Sequence, residues 1–409
     1  MFEKEHRLQI TKFSLYGLLK NLRFFEPFLL IYFLEQSLNL FYIGILFSIR
    51  EIIIYVFEIP SGVIADRYGK KTELVYCFLF YIISFVLFYF ATGFVGFVFA
   101  MALFALGEAF RSGTHKAMIM AYMDKHELKE SKTKIYGLTR SYSLIGSMIA
   151  SLVSILLVLY LPEIRYLFLV AIIPYVIDLI MILTYPNYLN DKRDTTFSLK
   201  AFFKSNIDGI SYTFKTKKVR RAVFNSSTYQ AFFKAIKDYV QPLVLAITGS
   251  MIIFSSLNDD EHKTIYIGII YTVIYFISAI ASRNAHHVQK MGDHKKLVQW
   301  MWLLTGLVLL ILSFLLSSLW AVLGVFILLY IIMNIRKPIM IDVIGEVTKD
   351  DKRATVLSVE AQMASIMIAI SAPLIGLLAE YSMQALFITL ASIMVLIFIL
   401  SFYPQKEKN

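Results

Sequence analysis

Charged side chains stand inside stretches that are otherwise apolar, and their spacing pairs acids with bases. Three such pairs occur: Arg23 with Glu26, Glu108 with Arg111, and Lys234 with Asp238. On a helix, residues three or four positions apart share a face, so each pair can form an internal ion pair. Inside a membrane, such a pair either neutralises its own charge or exchanges a partner for a charged solute or a proton.

The composition shows what surrounds these charges. Of the 409 residues, 58% are hydrophobic and 17% are charged, whereas a soluble domain has roughly 25% charged residues. The apolar residues form twelve blocks of bilayer-spanning length, at about 14–35, 42–65, 74–92, 95–120, 136–160, 166–185, 222–249, 264–282, 297–316, 320–345, 355–378 and 384–403. The blocks lack the alternation of barrel strands, which predicts an all-α integral membrane protein. This composition excludes a soluble enzyme, a nucleic-acid binder and a secreted disulfide scaffold, and the single Cys77 permits no internal disulfide.

Basic residues predict the orientation of the chain. The N-terminal tail and alternate loops hold 26 Lys and Arg, and the intervening loops hold 2. Because cytoplasmic loops carry the excess of basic residues, both termini are predicted to be cytoplasmic. We further expect the membrane to be the plasma (cell inner) membrane. The net charge of +11 therefore reflects orientation before any binding of an anionic polymer.

The longest polar stretch divides the chain into two bundles of six helices. We expect an N-terminal bundle over residues 1–190, a cytoplasmic linker over 191–218 and a C-terminal bundle over 219–409. Apolar residues recur in the linker at three- and four-residue steps, which predicts an amphipathic helix on the inner membrane surface that tethers the bundles. These residues are Leu199, Phe202, Phe203, Ile207, Ile210 and Phe214.

A motif of glycines and charges follows the second block. Its members are Gly62, Asp66, Arg67, Gly69, Lys70 and Lys71. The order of Gly, three residues, Asp-Arg, any residue, Gly and two basic residues resembles the signature of the major facilitator superfamily. The resemblance implies a twelve-helix fold of two pseudo-symmetric six-helix bundles. An echo between Ala109–Gly113 and Asn334–Pro338, 225 positions on, is what parallel repeats of the two halves require.

The resemblance also implies a role for the motif. Its glycines allow a sharp turn between the second and third helices. Asp66 is then expected to lock a cytoplasmic gate, with Glu58 beside it and Arg353 as its partner. The antiporter pattern of the family is not met, because Ala109 stands where an arginine is usual and the fifth block has no proline.

The embedded charges fall in the helices that line the central cavity of the superfamily, which are helices 1, 4, 7 and 10. They are Lys20, Arg23, Glu26, Glu108, Arg111, Lys234, Lys237, Asp238, Arg336, Lys337 and Asp342. A charge at the bilayer centre costs about 2.5–3.5 kcal/mol, so these groups must face water, a partner or a ligand. Seven bases against four acids leave a surplus of three positive charges, which favours an anionic or zwitterionic solute.

Coupling to protons requires a carboxylate whose protonation changes during transport. Glu26 and Glu108 are the leading candidates, and Asp178, close after Pro174, is a third. Pro27 should kink the first helix beside Glu26. Nucleotide, nucleophile and metal motifs do not occur in the short loops, so we expect neither an enzyme nor a cofactor, and transport must run on gradients.

The sequence thus predicts a secondary active transporter that moves a small anionic, zwitterionic or amphipathic solute by alternating access. Its expected partners are the solute, protons and the lipid bilayer, with no nucleic acid, and a monomer should be functional. Export is favoured over uptake because the segment from Glu58 to Gly62 resembles efflux-type members. Two alternatives stay open: multidrug efflux of lipophilic compounds, and a non-transporting membrane sensor on the same scaffold.

Overall fold

The described part of the chain is built from α-helices joined by short turns. The structure is a computed structural model and describes residues 4–128, 132–190, 199–248, 259–289, 293–349 and 352–402. The helices are α1 (Lys4–Leu19), α2 (Leu29–Glu35), α3 (Leu40–Tyr68), α4 (Lys70–Phe90), α5 (Gly93–Arg111), α6 (Thr114–Lys125), α7 (Lys132–Tyr160), α8 (Tyr166–Leu183), α9 (Leu199–Lys215), α10 (Lys217–Ile236), α11 (Val240–Thr248), α12 (Asp259–Gln289), α13 (His294–Phe314), α14 (Leu319–Val347), α15 (Arg353–Tyr381) and α16 (Met383–Phe402).

Ten stretches within the described residues are long and apolar enough to cross a bilayer. They coincide with ten of the twelve predicted blocks, so the predicted all-α membrane protein is confirmed. The other two blocks, 14–35 and 222–249, are each divided into two helices. The first is split between α1 and α2, and the second between α10 and α11.

The segments divided at 14–35 and 222–249 carry a proline in or just after the break, whereas the block at 95–120 is divided between α5 and α6 at Ser112 and Gly113. Short 3-10 turns cover Glu26–Phe28 and Lys237–Tyr239, and Pro27 and Pro242 lie within or just beyond them. A proline lacks the N–H that continues a helix, and its ring clashes with the carbonyl four residues earlier. The predicted kink beside Glu26 is a complete break over residues 20–25, which begins before Pro27, and freed backbone groups there need other partners.

The chain forms two compact units. Unit 1 comprises Met1–Leu38, Ile45–Lys204 and Thr264–Phe276, and unit 2 comprises Asn39–Gly44, Ser205–Lys263 and Ile277–Asn409. Within unit 1, α1 packs along α7, and α4 packs along α5 and α8; within unit 2, α10 packs along α15 and α13 along α16. If the predicted spans are numbered in chain order, span 1 packs on span 5 and span 3 on span 6. The same two pairings recur in the second half, where span 7 packs on span 11 and span 9 on span 12. This recurrence is what a parallel internal repeat requires, while the predicted boundaries at 190 and 219 stay a prediction.

The predicted linker helix is present as α9. Its side chains are described from Ile207 onward, and Ile207 and Phe214 are exposed while Thr213 is fully buried. The exposed apolar side chains are free to contact lipid headgroups and acyl chains, as the amphipathic pattern predicts. Its role as a tether stays a prediction.

Small residues bring α1 and α7 into close contact. A β-carbon added to Gly17 would lie 2.7 Å from Ser143 Oγ and 2.8 Å from the Thr139 carbonyl oxygen. A β-carbon added to Gly146 would overlap the carbonyl oxygen of Leu18. Glycines at both positions therefore let the two backbones approach, the packing mode typical of membrane helices.

We expect Gly146→Val to lower the thermal unfolding temperature in detergent. The new side chain must push α7 away from the backbone of α1, and overpacking of this kind costs about 1–3 kcal/mol. Gly324→Val is the matched control, because a β-carbon at Gly324 meets nothing within 4 Å. Equal unfolding temperatures for the two variants would show that the contact is not tight.

Candidate functional site

A carboxylate held between two guanidinium groups forms the centre of the site in unit 1. Glu108 Oε1 lies 2.5 Å from Arg23 Nη2, and Glu108 Oε2 lies 2.5 Å from Arg111 Nη2. The side chains are 17%, 15% and 27% exposed, respectively, so all three remain accessible although they lie within the predicted spans. We refer to these three residues as the Arg–Glu–Arg cluster.

The backbone breaks place the cluster. Arg23 lies in the gap between α1 and α2, where the chain leaves helical geometry. Glu108 and Arg111 lie in the last turn of α5, which ends before Gly113, a glycine in the left-handed conformation with φ of +76°. Arg111 thus stands at a helix C-terminus, where a positive charge is favourable.

Two tyrosines support the cluster from neighbouring helices. Tyr81 Oη, on α4, donates to Glu108 Oε1 at 2.7 Å and accepts from Arg111 Nε at 3.0 Å. Its ring lies against Gly107, where a β-carbon would come within 2.8 Å of it. Tyr175 Oη, on α8, accepts from Arg23 Nε at 2.7 Å and donates to the Lys20 carbonyl oxygen at 2.8 Å. Tyr175 therefore satisfies a backbone group near the break after α1.

The cluster keeps donors that no protein group uses. The Nη1 atoms of Arg23 and Arg111 make no hydrogen bond within the described part of the chain, and neither is among its fully buried unpartnered atoms. Both oxygens of Glu108, by contrast, are engaged. One negative and two positive charges leave the cluster with a net charge of about +1. Such a site can accept an anionic group through planar, multiple hydrogen bonds.

The pairings differ in part from those that the spacing suggests. Glu108 pairs with Arg111 as predicted, but Arg23 also pairs with Glu108 rather than with Glu26. Glu26 is half-buried at the start of its 3-10 turn. The helical spacing does not apply to Arg23 and Glu26, because the break at Pro27 removes the helix between them.

The predicted residues of unit 2 have surroundings that differ from one residue to the next. Lys237 Nζ pairs with Asp238 Oδ1 at 2.8 Å in the break between α10 and α11. Lys234, Lys337 and Asp342 are exposed. Arg336, only 1% exposed, donates to both oxygens of Asn225 and lies 4.1 Å above the ring of Tyr229. Arg336 is therefore held by neutral groups and an aromatic face.

Three functional candidates escaped the sequence reasoning. Tyr81 and Tyr175 carry no charge, so the search for embedded charges does not find them. Glu360, on α15, is 9% exposed and accepts from Ser226 Oγ at 2.6 Å and from Gln230 Nε2. Glu360 lies in the eleventh predicted span, outside the helices that the resemblance assigns to the cavity, although a lone acid within an apolar span is a usable signal.

The glycine and charge motif makes local contacts within unit 1. Gly69 has φ of +97° and begins the turn into α4, as predicted, and Lys71 Nζ donates to the carbonyl oxygens of Leu183 and Tyr185 at 2.6 and 3.1 Å. Arg67 and Gly62 are exposed, and Lys70 is half-buried. Glu58 accepts from Ser112 Oγ at 3.2 Å.

Of the two residues expected to form the cytoplasmic lock, the structure describes the side chain of one, Arg353. The side chain of Asp66 lies outside the described residues. Arg353, its expected partner, donates to the Gly345 carbonyl oxygen at 3.0 Å, near the C-terminus of α14. The gate role of the motif stays a prediction.

The helical spans and the embedded, partly accessible charges define a multi-pass membrane protein. The model of the Major Facilitator Superfamily matches residues 21–298 and, in an overlapping second match, residues 243–409. The chain therefore belongs to the major facilitator superfamily of transporters, which confirms the resemblance of the motif. A relative, the uncharacterized MFS-type transporter YxaM of Bacillus subtilis (strain 168), is 23% identical over 392 residues, covering 94% of this chain and 92% of that protein.

Solved structures show the same fold. The nucleoside transporter NupG has a TM-score of 0.74 and 13% identity, covering 97% of this chain and 98% of that one. A D-xylose-proton symporter has a TM-score of 0.73 and 13% identity, covering 98% of both chains. A POT family transporter in complex with 5-aminolevulinic acid has a TM-score of 0.75 and 13% identity, covering 98% of this chain and 96% of that one. At this identity the likeness establishes the fold alone.

We expect Tyr175→Phe to lower the thermal unfolding temperature, because it leaves Arg23 Nε and the Lys20 carbonyl oxygen without their shared partner. The cost of buried polar groups left unpaired is about 1–3 kcal/mol. Tyr381→Phe, at a tyrosine that is 85% exposed, is the matched control. If both variants unfold at the wild-type temperature, Tyr175 does not stabilise the backbone break between α1 and α2.

Proposed function

We propose that this protein is a secondary active transporter whose Arg–Glu–Arg cluster binds a small anionic or zwitterionic solute and moves it by alternating access. The observation that carries the proposal is the pair of unused Nη1 donors, on Arg23 and Arg111, in a cluster with net positive charge. A carboxylate or phosphate group is the ligand that two guanidinium groups recognise best.

The charge of the cluster argues against a lipophilic cation as solute. A cation would need an unengaged carboxylate, but both oxygens of Glu108 are already bonded to arginines. Replacing those arginines by a solute cation would leave two positive charges without a partner, at a cost of several kcal/mol. An anion, by contrast, adds a second acceptor to donors that are already in place.

Glu108 also gives the site a means of release. It competes with the solute for the same two guanidinium groups, so the solute is bound by a cluster that is partly neutralised in advance. A transporter must bind its solute and then let it go, and a resident carboxylate lowers the affinity to a level at which both steps can occur. Protons are the proposed coupling ion, since the predicted spans carry acids, Glu26, Glu108 and Asp178, whose protonation can change during transport.

The remaining features are proposals carried by the sequence. Cytoplasmic termini follow from the loop charges, and we further propose the plasma membrane as the location and a functional monomer. Export over uptake follows from the resemblance to efflux-type members. Counterflow in proteoliposomes of known orientation measures the direction, and exchange of a bound solute distinguishes a transporter from a sensor.

We expect Arg111→Ala to weaken binding of the transported anion by roughly 10- to 100-fold, because charge-assisted hydrogen bonds contribute about 1.5–3 kcal/mol each. The anion is first identified as the strongest stabiliser in a thermal-shift panel of metabolite carboxylates, phosphates and lipophilic cations. Arg165→Ala, at an exposed arginine in a loop, is the control. Stabilisation by cations alone, or unchanged affinity in Arg111→Ala, would contradict an anion site.

We expect Glu108→Gln to bind the same anion roughly three- to tenfold more tightly and to exchange it more slowly, because the internal competitor is lost. Equilibrium binding and counterflow are measured on the same preparation. Glu163→Gln, in an exposed loop, is the control. Weaker anion binding by a folded Glu108→Gln variant would refute the competition.

A further inference from the structure

The carboxylate of Asp178 is the one buried acid of the described residues that has neither an ion pair nor a hydrogen bond. Asp178 lies on α8 and is 0% exposed, and neither Oδ1 nor Oδ2 has a hydrogen-bond partner. An ionised carboxylate in such surroundings loses its hydration and gains nothing in return. In this conformation the neutral acid, with its proton bound, is therefore the favoured form.

Asp178 lies one helical turn along α8 from Tyr175, which bonds Arg23 of the Arg–Glu–Arg cluster. Helices α1 and α8 run antiparallel, because Lys12 Nζ donates to Thr184 Oγ1 at 2.8 Å and Tyr175 Oη donates to the Lys20 carbonyl oxygen at 2.8 Å. Asp178 is three residues beyond Tyr175, on the same face of α8. It therefore faces the last turn of α1, which leads into Lys20.

Lys20 is the basic residue that the packing of α1 on α8 brings beside this face, because its carbonyl oxygen accepts from Tyr175 Oη one helical turn before Asp178. Its ammonium group lies 5.3 Å from the ring centroid of Tyr16, and it has no ion pair within the described part of the chain. Tyr175 Oη bonds both Arg23 Nε and the Lys20 carbonyl oxygen, at 2.7 and 2.8 Å, and so ties the segment that carries Lys20 to the cluster. Lys20 thus stands between the cluster and the helix face of α8 that carries Asp178.

The other ionisable groups on the elements packed near α8 are neutral, bonded to other groups or exposed. On α1, the hydroxyl of Tyr16 has no hydrogen-bond partner among the described residues, and on α4, Cys77 is buried while Glu73 accepts from Thr114. On α6, His115 stacks on Tyr16 and bonds Tyr185. On α7, Arg140 is exposed. None of these contacts supplies Asp178 with a counter-ion. Lys20 is the group with which an ionised Asp178 would pair.

We propose that Asp178 carries the transported proton and that it couples the proton to the solute by competing for the charge of Lys20. When Asp178 is protonated, the ammonium charge of Lys20 adds to the field that holds the anion at the cluster. When the acid O–H bond breaks, the proton passes to water and the carboxylate pairs with Lys20, which withdraws that charge from the anion. The proposal rests on the anion site proposed above.

This linkage makes proton and anion bind together. If protonation of Asp178 raises the affinity for the anion, the anion raises the affinity for the proton by the same factor. A carrier that holds both or neither moves them in the same direction. An inward proton gradient then drives uptake, the opposite of the direction that the resemblance to efflux-type members favours. Glu108, with both oxygens bonded to arginines, is less suited to this role than the sequence suggests.

Two measurements on the full-length protein test the proposal. The first is the infrared carbonyl band of a protonated carboxylic acid, recorded near neutral pH for the wild type and for Asp178→Asn. The second is stabilisation by sulfate, an anion whose charge is constant between about pH 5.5 and about pH 8.5, measured as the shift in unfolding temperature. Glu163→Gln serves as the carboxylate control, and Lys20→Gln removes the shared charge.

We expect the band in the wild type and in Glu163→Gln, and its loss in Asp178→Asn. Sulfate should bind the wild type roughly tenfold more tightly at the lower pH. Asp178→Asn should bind it tightly at both values, and Lys20→Gln weakly at both. A wild type without the band, or a pH dependence that survives in Asp178→Asn, overturns the proposal. If sulfate binds none of the proteins while the band is lost in Asp178→Asn, the proton site stands and the proposed anion site fails.

Discussion

A charge within a membrane span must have a partner, and the site of unit 1 is organised around this constraint. Glu108 meets it by binding two arginines at once, and each arginine is in turn fixed by a tyrosine. Each group in this arrangement limits the others, because the loss of one leaves a charge or a hydrogen bond without its partner. The backbone breaks after α1 and after α5 bring the three side chains together.

The two units surround an arginine within a membrane span in different ways. At the position that the sequence echo pairs with Arg111, unit 2 has Arg336, which is buried against Tyr229 and bonded to Asn225. Arg111 remains 27% exposed and faces a carboxylate. A guanidinium that is enclosed by neutral groups has no accessible donor for a solute, whereas one that keeps an accessible donor can bind one. The internal repeat therefore preserves the helix packing while the chemistry of the two halves diverges.

This difference shows why counting charges does not define a binding site. The sequence places eleven charged residues in four helices, but the described structure gives them distinct surroundings. Lys237 is neutralised by its neighbour Asp238, Arg336 is enclosed, and Lys234 is exposed. The positive surplus that matters is the local one at Glu108, where two guanidinium groups share one carboxylate.

The sequence by itself determined the membrane class, the apolar spans, the superfamily and the helices that carry embedded charges. These properties depend on composition and on spacing along the chain, because a span needs about 20 apolar residues wherever it lies. It also indicated the break at Pro27, since a proline acts on its own helix. The partners of each charge were decided only by the tertiary structure. Arg23 meets Glu108 across 85 positions, and Asp178 is left without a partner, because packing between helices brings distant residues together in a way that no local spacing records.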